Sequence, residues 1–109
     1  MNHSNVIIGK GNLLGKGVYA NKDFKKGEVV IQYNLKQLAA SQYKELSAKE
    51  RMFVHSHKGI LYLYSEPERY VNHSSKPNTY QDLVSKCDIA LRDIKKGEAI
   101  TTDATKDDN

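Results

Sequence analysis

The stretch Arg69-Tyr70-Val71-Asn72-His73-Ser74-Ser75-Lys76-Pro77-Asn78 decides how the rest of the chain is interpreted. It is dense in hydrogen-bonding side chains, yet apolar runs flank it on both sides. Its Asn and Ser side chains can bind backbone groups locally, and its proline fixes a turn. Functional residues concentrate in polar loops of this kind. The stretch is therefore either a functional loop or a solvated turn between two strands, and its composition alone leaves both interpretations open.

Length and composition predict one domain. The 109 residues are 39% hydrophobic and 28% charged, which suits a single core. We expect the domain to span residues 1–109, with a core from about 6 to 103 and a polar, frayed tail over 104–109. No apolar run approaches the roughly 20 residues of a membrane helix. Cys87 is the single cysteine, which excludes an internal disulfide and favours a reducing, intracellular compartment.

The charge pattern argues against two kinds of site. A net charge of +4 could suit nucleic acid, but such surfaces interleave clustered cations with exposed aromatic residues. The pairs Lys25-Lys26 and Lys95-Lys96 lie in turns without that interleaving, so a nucleic-acid-binding β domain ranks last. His55-Ser56-His57 lacks the further ligands that a metal site needs. We predict neither direct nucleic-acid binding nor a metal.

Short apolar runs between turn residues predict a mainly β domain. The predicted strands are 6–8, 18–20, 29–33, 60–64, 79–84, 87–91 and 99–102, with a hairpin turn at Ser85-Lys86. Ser47-Ala48-Lys49-Glu50 is a capping box that begins a helical turn, and Pro67 occupies a tolerated first helical position. Residues 35–43 predict a short helix or a loop, and residues 53–57 are ambiguous.

One pattern occurs twice. Residues 20–30 and 90–100 both read A-x-x-D-(apolar)-K-K-G-E-x-(apolar). Each copy predicts a strand, a lysine-glycine turn and a second strand, with the apolar residue packed beneath the turn. Because a solenoid needs about three repeats or more, two copies indicate two similar corners of one compact β domain.

Four patterns then stand in a fixed order. They are Gly15-Lys16-Gly17, Val30-Ile31-Gln32-Tyr33, the central R-x-x-N-H-S-x-x-P-N and Gly97-Glu98-Ala99-Ile100-Thr101-Thr102-Asp103. This combination resembles the SET domain of protein-lysine methyltransferases over about residues 6–103. The central pattern is the specific one, since G-x-G alone is common in turns. The short insert between Gln32 and Lys58, and Ser75 where many relatives have cysteine, resemble minimal bacterial or viral members without a zinc-bound post-SET module.

The resemblance implies both a fold and a reaction. The fold is a β-clip of small curved sheets with short helical inserts, whose C-terminal segment threads under a loop as a pseudoknot. The reaction is S-adenosylmethionine-dependent N-methylation of lysine in a histone or another basic protein. The cofactor and the target lysine enter from opposite faces. The implied location is intracellular, in the cytoplasm or in a nucleus, with no membrane contact and with a homodimer left open.

The resemblance also implies roles for individual residues. The glycines of the 15–17 turn admit the cofactor to the backbone, Lys16 lies near its carboxylate, and Asn72 and His73 bind its amino group and adenine. Arg69 anchors the loop. The full set of implied cofactor residues is Gly15, Lys16, Gly17, Tyr19, Arg69, Asn72 and His73. The implied lysine channel is lined by Tyr33, which is also the implied catalytic residue, and by Tyr62, Tyr64 and Tyr80.

The chain departs from the family at one catalytic position. The family motif ends in Asp-Tyr, whereas here Asp103 is followed by Ala104, and no tyrosine follows Tyr80. Loss of that hydroxyl predicts impaired methyl transfer with the cofactor site intact, whether Ala104 is natural or introduced. The alternative function is a non-catalytic SET-like module that binds a lysine-bearing peptide or a partner protein.

Overall fold

The computed structural model describes residues 5–103. Within that range the protein has ten short strands, two short α-helices and one 3₁₀ turn. The strands are β1 (Val6–Leu13), β2 (Lys16–Ala20), β3 (Val29–Gln32), β4 (Lys36–Leu38), β5 (Val54–His57), β6 (Ile60–Leu63), β7 (Asn72–His73), β8 (Thr79–Asp82), β9 (Cys87–Ala90) and β10 (Thr101–Thr102). The helices are α1 (Ala40–Glu45) and α2 (Ala48–Arg51), and the 3₁₀ turn is Glu68–Tyr70.

The described strands form four small sheets. β1 and β2 make an antiparallel hairpin, and two antiparallel sheets have the strand orders β3-β9-β8 and β4-β6-β5. β7 and β10 pair in parallel, which brings the C-terminal segment into the polar loop of the central stretch. This arrangement of small sheets with short helical inserts confirms the predicted fold class. No helix within residues 5–103 is long and apolar enough to cross a membrane.

The insert differs in part from the sequence prediction. Residues 35–43 were expected to be a helix or a loop, but a strand occupies the first half because Leu38 pairs with Leu61 of β6 and is buried. The ambiguous residues 53–57 contribute β5, which pairs with the other edge of β6. Both strands depend on pairing with one central strand, so their local pattern did not reveal them.

The two copies of the repeated pattern form two corners that pack against each other reciprocally. The Phe24 N–H donates to the Ile94 carbonyl, and the Ile94 N–H donates to the Phe24 carbonyl, both at 2.8 Å. Both side chains are buried. The apolar residue of each copy therefore lies beneath its turn, as predicted, and its direct backbone partner is the same residue of the other copy.

A carboxylate of each corner also caps the turn of the other. Asp93 Oδ1 accepts from the Lys26 N–H at 2.9 Å, and Asp23 Oδ1 accepts from the Lys96 N–H at 2.8 Å. Within each corner, the glutamate of the pattern accepts from the N–H of the first lysine. The acidic residues of the pattern thus accept hydrogen bonds from backbone N–H groups of the turns, which would otherwise lack a protein partner.

We expect Asp23→Ala and Asp93→Ala each to lower the free energy of unfolding by about 1 kcal/mol, since each removes a charge-assisted cap from an exposed turn. Urea unfolding followed by circular dichroism measures the change. Lys26→Ala is the matched control, because it keeps the backbone N–H that Asp93 binds and should cost less than about 0.5 kcal/mol. Equal losses in the control and the aspartate variants would contradict this explanation of the corners.

Candidate functional site

The side chain of Asn72 connects the central stretch to the β1–β2 hairpin. Its Oδ1 accepts from the Asn12 N–H at 2.8 Å, and its Nδ2 donates to the Lys16 carbonyl at 3.1 Å and to the Tyr70 carbonyl at 2.8 Å. One amide group thus binds both arms of the hairpin and the end of the 3₁₀ turn. The start of β2, and with it the turn at Leu14-Gly15, is thereby held against the residue that precedes His73.

Two glycines allow this close approach. A Cβ at Gly17 would lie 3.2 Å from the Lys10 carbonyl oxygen and 3.3 Å from Asn72 Nδ2. A Cβ at Gly11 would lie 2.4 Å from the Lys16 carbonyl oxygen, which backbone cannot accommodate. Gly15, in contrast, has φ +78° and nothing within 4 Å of an added Cβ. The turn is therefore packed against Asn72 on its inner side and open above Gly15.

Asn78 fastens the C-terminal segment at the other end of the stretch. Its side chain is buried, donates from Nδ2 to the Ala99 carbonyl at 2.7 Å, and accepts at Oδ1 from the Thr101 N–H at 2.9 Å. The Thr79 hydroxyl donates to the Thr101 carbonyl at 2.8 Å. The amide of Asn78 therefore bonds to this segment as a neighbouring strand would.

Between the two asparagines, His73 lies beside β10. It pairs with Thr102 in the parallel sheet, and the Ser74 N–H donates to the Thr102 carbonyl at 2.9 Å. His73 Nδ1 lies 3.7 Å from Asp103 Oδ1, and its side chain is about half exposed. The ring is thus held by its backbone at the surface, next to the last described residue.

A cavity of about 120 Å³ opens beside His73. Its walls come from the hairpin, the insert, the central stretch, β8 and β10. The lining includes Leu13, Phe53, Tyr64, Val71, His73, Gln81 and Thr102. Segments far apart in the sequence therefore meet at one small polar-rimmed space, which is the candidate functional site.

Two of the predicted channel tyrosines pack against each other, and one of them, Tyr64, lines this cavity. The rings of Tyr33 and Tyr64 are 5.7 Å apart, and both residues are buried. The Tyr64 hydroxyl lies 2.7 Å from His57 Nε2, while the Tyr33 hydroxyl donates to the Asp88 carboxylate. Both hydroxyls are therefore held in fixed positions by buried partners.

The other predicted tyrosines lie elsewhere. Tyr62 lines a separate depression, with Lys86 Nζ 5.4 Å from its ring centroid. Tyr80 is exposed and lines a third cavity that also includes Asp103. The Tyr19 hydroxyl donates to the Lys10 carbonyl at 2.5 Å within the hairpin. Ala104 lies outside the described residues.

Lys16 and Arg69 both contact aromatic rings near the cavity. Lys16 Nζ lies 4.9 Å from the ring centroid of Tyr70. The Arg69 guanidinium lies 4.4 Å from the ring centroid of Phe53. Arg69 Nε also donates to the Tyr64 carbonyl at 2.8 Å, so this side chain fixes the backbone that carries a channel tyrosine.

Glu50 is a site-supporting residue that the sequence argument missed. Arg69 donates from Nη1 and Nη2 to the two carboxylate oxygens of Glu50, at 3.0 and 2.9 Å. The helical turn does begin after Ser47, whose hydroxyl accepts the Glu50 N–H. Only this half of the predicted capping box is seen in the described residues, because both oxygens of the Glu50 carboxylate bind Arg69 as a bidentate ion pair. Such pairs are among the stronger polar contacts, and this one fastens α2 to the central stretch.

The pKa values of two carboxyl groups near Arg69 are shifted in opposite directions. The hydrogen bond from Arg69 lowers the pKa of Glu50 below its ordinary value. Burial raises the pKa of Glu68, although its Oε2 accepts from the Asn34 and Ser65 N–H groups. Glu68 Oε1 has no hydrogen-bond partner among the described residues. Ionised Glu68 is therefore costly to the folded state, whereas ionised Glu50 stabilises it.

We expect Glu68→Gln to gain stability relative to the parent chain as the pH rises from about 4 towards 8. The folded-state pKa of Glu68 lies above its unfolded value, so its stabilising contribution is present below the unfolded pKa and disappears as the pH rises through the folded pKa. Glutamine keeps an acceptor for the two N–H groups and cannot ionise. Urea unfolding at several pH values measures the difference.

Glu50→Gln is the control of opposite sign. The contribution of Glu50 is present above its unfolded pKa and is lost as the pH falls through its lower folded pKa. This variant should therefore be less stable than the parent at neutral pH and should converge with it in acid. Parallel pH profiles for the parent and both variants would contradict these assignments.

Among residues 5–103, no three His, Cys, Asp or Glu side chains are placed to hold a metal ion together. The site is instead a small-sheet β fold in which a glycine turn, an asparagine-histidine loop and a parallel C-terminal strand meet at one cavity.

A model of the SET domain matches residues 15–103, and the chain belongs to that family. The chain is 32% identical over 115 residues to the human protein named histone-lysine N-methyltransferase 2D, covering 92% of this chain and 2% of that protein. It is 28% identical over 110 residues to the Arabidopsis thaliana protein named histone-lysine N-methyltransferase ASHH3, covering 82% and 29%. The chain thus spans a small part of these curated relatives.

A solved structure shows the same fold. The chain superimposes on a candidate histone methyltransferase of Plasmodium falciparum with a TM-score of 0.71 and 22% sequence identity. The match covers 94% of both chains. The described arrangement of small sheets is therefore that of the SET fold along most of its length.

Proposed function

We propose that this chain binds S-adenosylmethionine against Gly15-Lys16-Gly17, Asn72 and His73. We propose further that its activity is that of its family, N-methylation of a protein lysine, impaired in this chain by Ala104. The observation that carries the proposal is the contact of Asn72 with the glycine hairpin beside His73 and β10. Two relatives of the chain carry the name histone-lysine N-methyltransferase, and SET methyltransferases generally use this cofactor.

The hairpin and loop fit such a cofactor. The surface above Gly15 is open, and the backbone there can be approached without obstruction by a side chain. The ammonium of Lys16 lies near Tyr70 and offers a positive charge beside this surface. His73 is exposed and presents a planar polar ring at the same edge. These groups suit a ligand with a carboxylate and an aromatic base.

The cofactor, when bound, supplies a methyl group already activated by a sulfonium, so the protein needs alignment more than acid or base catalysis. We assign the alignment of the target amine to Tyr64, which lines the cavity, and to Tyr33, whose ring packs against that of Tyr64. Burial of the amine among these rings favours its neutral, nucleophilic form. The Tyr64 hydroxyl, bound to His57, is a fixed polar contact for that amine.

The substrate we propose is a lysine in a histone or another basic protein. Ala104 favours one alternative, a non-catalytic module that uses the same groove to hold a lysine-bearing peptide or partner. The two functions share the peptide and differ in methyl transfer. Cofactor binding and a restored hydroxyl at position 104 therefore discriminate between them.

We expect Gly15→Ala to weaken S-adenosylmethionine binding by about fivefold or more, because a Cβ above the turn occupies the surface that the cofactor needs. Isothermal titration calorimetry measures the dissociation constant. Gly97→Ala is the matched control. Gly97 also has a positive φ, +95°, and nothing within 4 Å of an added Cβ, but it lies in the corner formed by residues 90–100 and not in the proposed cofactor site. Its binding constant should stay within about twofold of the parent value. Equal weakening in both variants would contradict this site.

We expect Ala104→Tyr to raise the rate of labelled methyl transfer to histone or lysate protein by about tenfold or more, because the added hydroxyl orients the amine. Ala104→Phe is the control that restores the ring without the hydroxyl, and it should gain much less. No gain with tyrosine would overturn the assignment of position 104. No cofactor binding at millimolar concentration would favour the non-catalytic module.

A further inference from the structure

The tips of two hairpins meet at a second surface depression, which is separate from the candidate site. One tip is the β5–β6 turn at Lys58-Gly59, and the other is the β8–β9 turn at residues 83–86. The depression has a volume of about 180 Å³ and is lined by Leu35, His57, Lys58, Ile60, Tyr62, Leu83, Val84 and Lys86. None of these residues lines the cavity beside His73.

The rim of this depression exposes large aliphatic groups on a braced backbone. Val84 is 96% exposed. Its N–H donates to Asp82 Oδ1 at 3.0 Å, and the Lys86 carbonyl accepts from the Tyr33 N–H at 2.9 Å. Because valine is β-branched and this turn backbone is already hydrogen-bonded, little conformational entropy is lost when a partner covers the side chain. The depression is therefore preformed for an apolar contact.

The charged side chains that line this depression are cationic, while Asp82 of the same β8–β9 turn binds the Val84 and Ser85 N–H groups and does not line it. Lys58 and Lys86 line it, and no carboxylate does. Both lysines have left-handed backbones, with φ of +53° and +56°, a conformation that costs roughly 1 kcal/mol for a residue with a Cβ. Lys86 Nζ extends over the Tyr62 ring. Two strained turns thus each place a cation at one apolar depression.

We propose that this surface docks an acidic segment of a partner protein, through one bulky apolar side chain flanked by Asp or Glu. The volume is below the roughly 300 Å³ of typical small-molecule pockets, so it suits one large side chain rather than a whole ligand. The two lysines complement carboxylates on either side of that side chain. They repel a basic tail, so the occupant is distinct from the lysine substrate proposed above.

The test titrates the full ¹⁵N-labelled chain with synthetic dodecapeptides. The probe peptide is Gly-Ser-Asp-Glu-Asp-Leu-Trp-Asp-Glu-Asp-Ser-Gly. One comparison peptide replaces Leu-Trp by Gly-Gly, and the other replaces every acid by Lys. We expect amide shifts at Ile60, Val84 and Lys86 with the probe, and affinity at least about tenfold weaker for both comparison peptides.

Variants locate the contact. Val84→Asp and Lys86→Glu should each weaken the probe by about fivefold or more, whereas Lys44→Glu, the same charge change on exposed α1, should stay within about twofold. Circular dichroism checks that each variant is folded, and Val84→Asp alters a side chain that packs against little. Loss in the two surface variants with retention in the helix variant supports the proposal.

Other outcomes overturn it. No shift at millimolar probe, or equal binding of the Gly-Gly or lysine peptide, excludes this recognition chemistry. A concentration-dependent dimer in sedimentation velocity that Val84→Asp abolishes would assign the surface to a second copy of the chain. Tighter binding of single-stranded DNA at the same amides would assign it to nucleic acid.

Discussion

The hydrogen bonds of the buried Asn78 amide hold the C-terminal segment against the central stretch. The Asn78 side chain bonds to Ala99 and Thr101 on the inside of the molecule, where water cannot replace a lost partner. Leaving such a group unpaired costs about 1–3 kcal/mol. The position of β10 beside His73, and with it one wall of the candidate site, depends on this contact.

The Asn72 side chain binds the β1–β2 hairpin in the same way. Asn72 and Asn78, at the two ends of a seven-residue loop, thus each bind a distant part of the chain, and the polarity of the central stretch follows from these contacts. His73 lies between the two asparagines, with its backbone paired to Thr102 and its ring at the surface. The loop is consequently both a structural connector and the proposed binding surface, which explains why so polar a segment lies between apolar strands.

Much of this could be predicted from the chain, because motif residues carried the information. The repeated corners followed from one duplicated pattern, and the β8–β9 hairpin followed from its turn residues and flanking apolar runs. β4 and the Glu50–Arg69 ion pair could not be predicted, since each depends on a partner brought close only by folding. The local pattern at Glu50 predicted a capping box, but only the Glu50 N–H binds Ser47, and the carboxylate binds Arg69 instead.

The predicted tyrosines illustrate the same limit within the site. Tyr33 directly follows β3, and Tyr64 directly follows β6. The packing of these strands brings the two rings to 5.7 Å from each other. Tyr62 is only two residues from Tyr64, yet it contributes to the depression between the hairpin tips. The family resemblance names aromatic candidates, but only the folded structure shows which of their rings contact each other.

The most direct test of the central claim is a backbone amide NMR titration of the chain with S-adenosylmethionine. The account predicts that the largest shifts cluster at Gly15, Gly17, His73 and Thr102, which are held together by Asn72 and Asn78. Saturation without shifts in this cluster, or shifts confined to the hairpin tips around Val84, would contradict it.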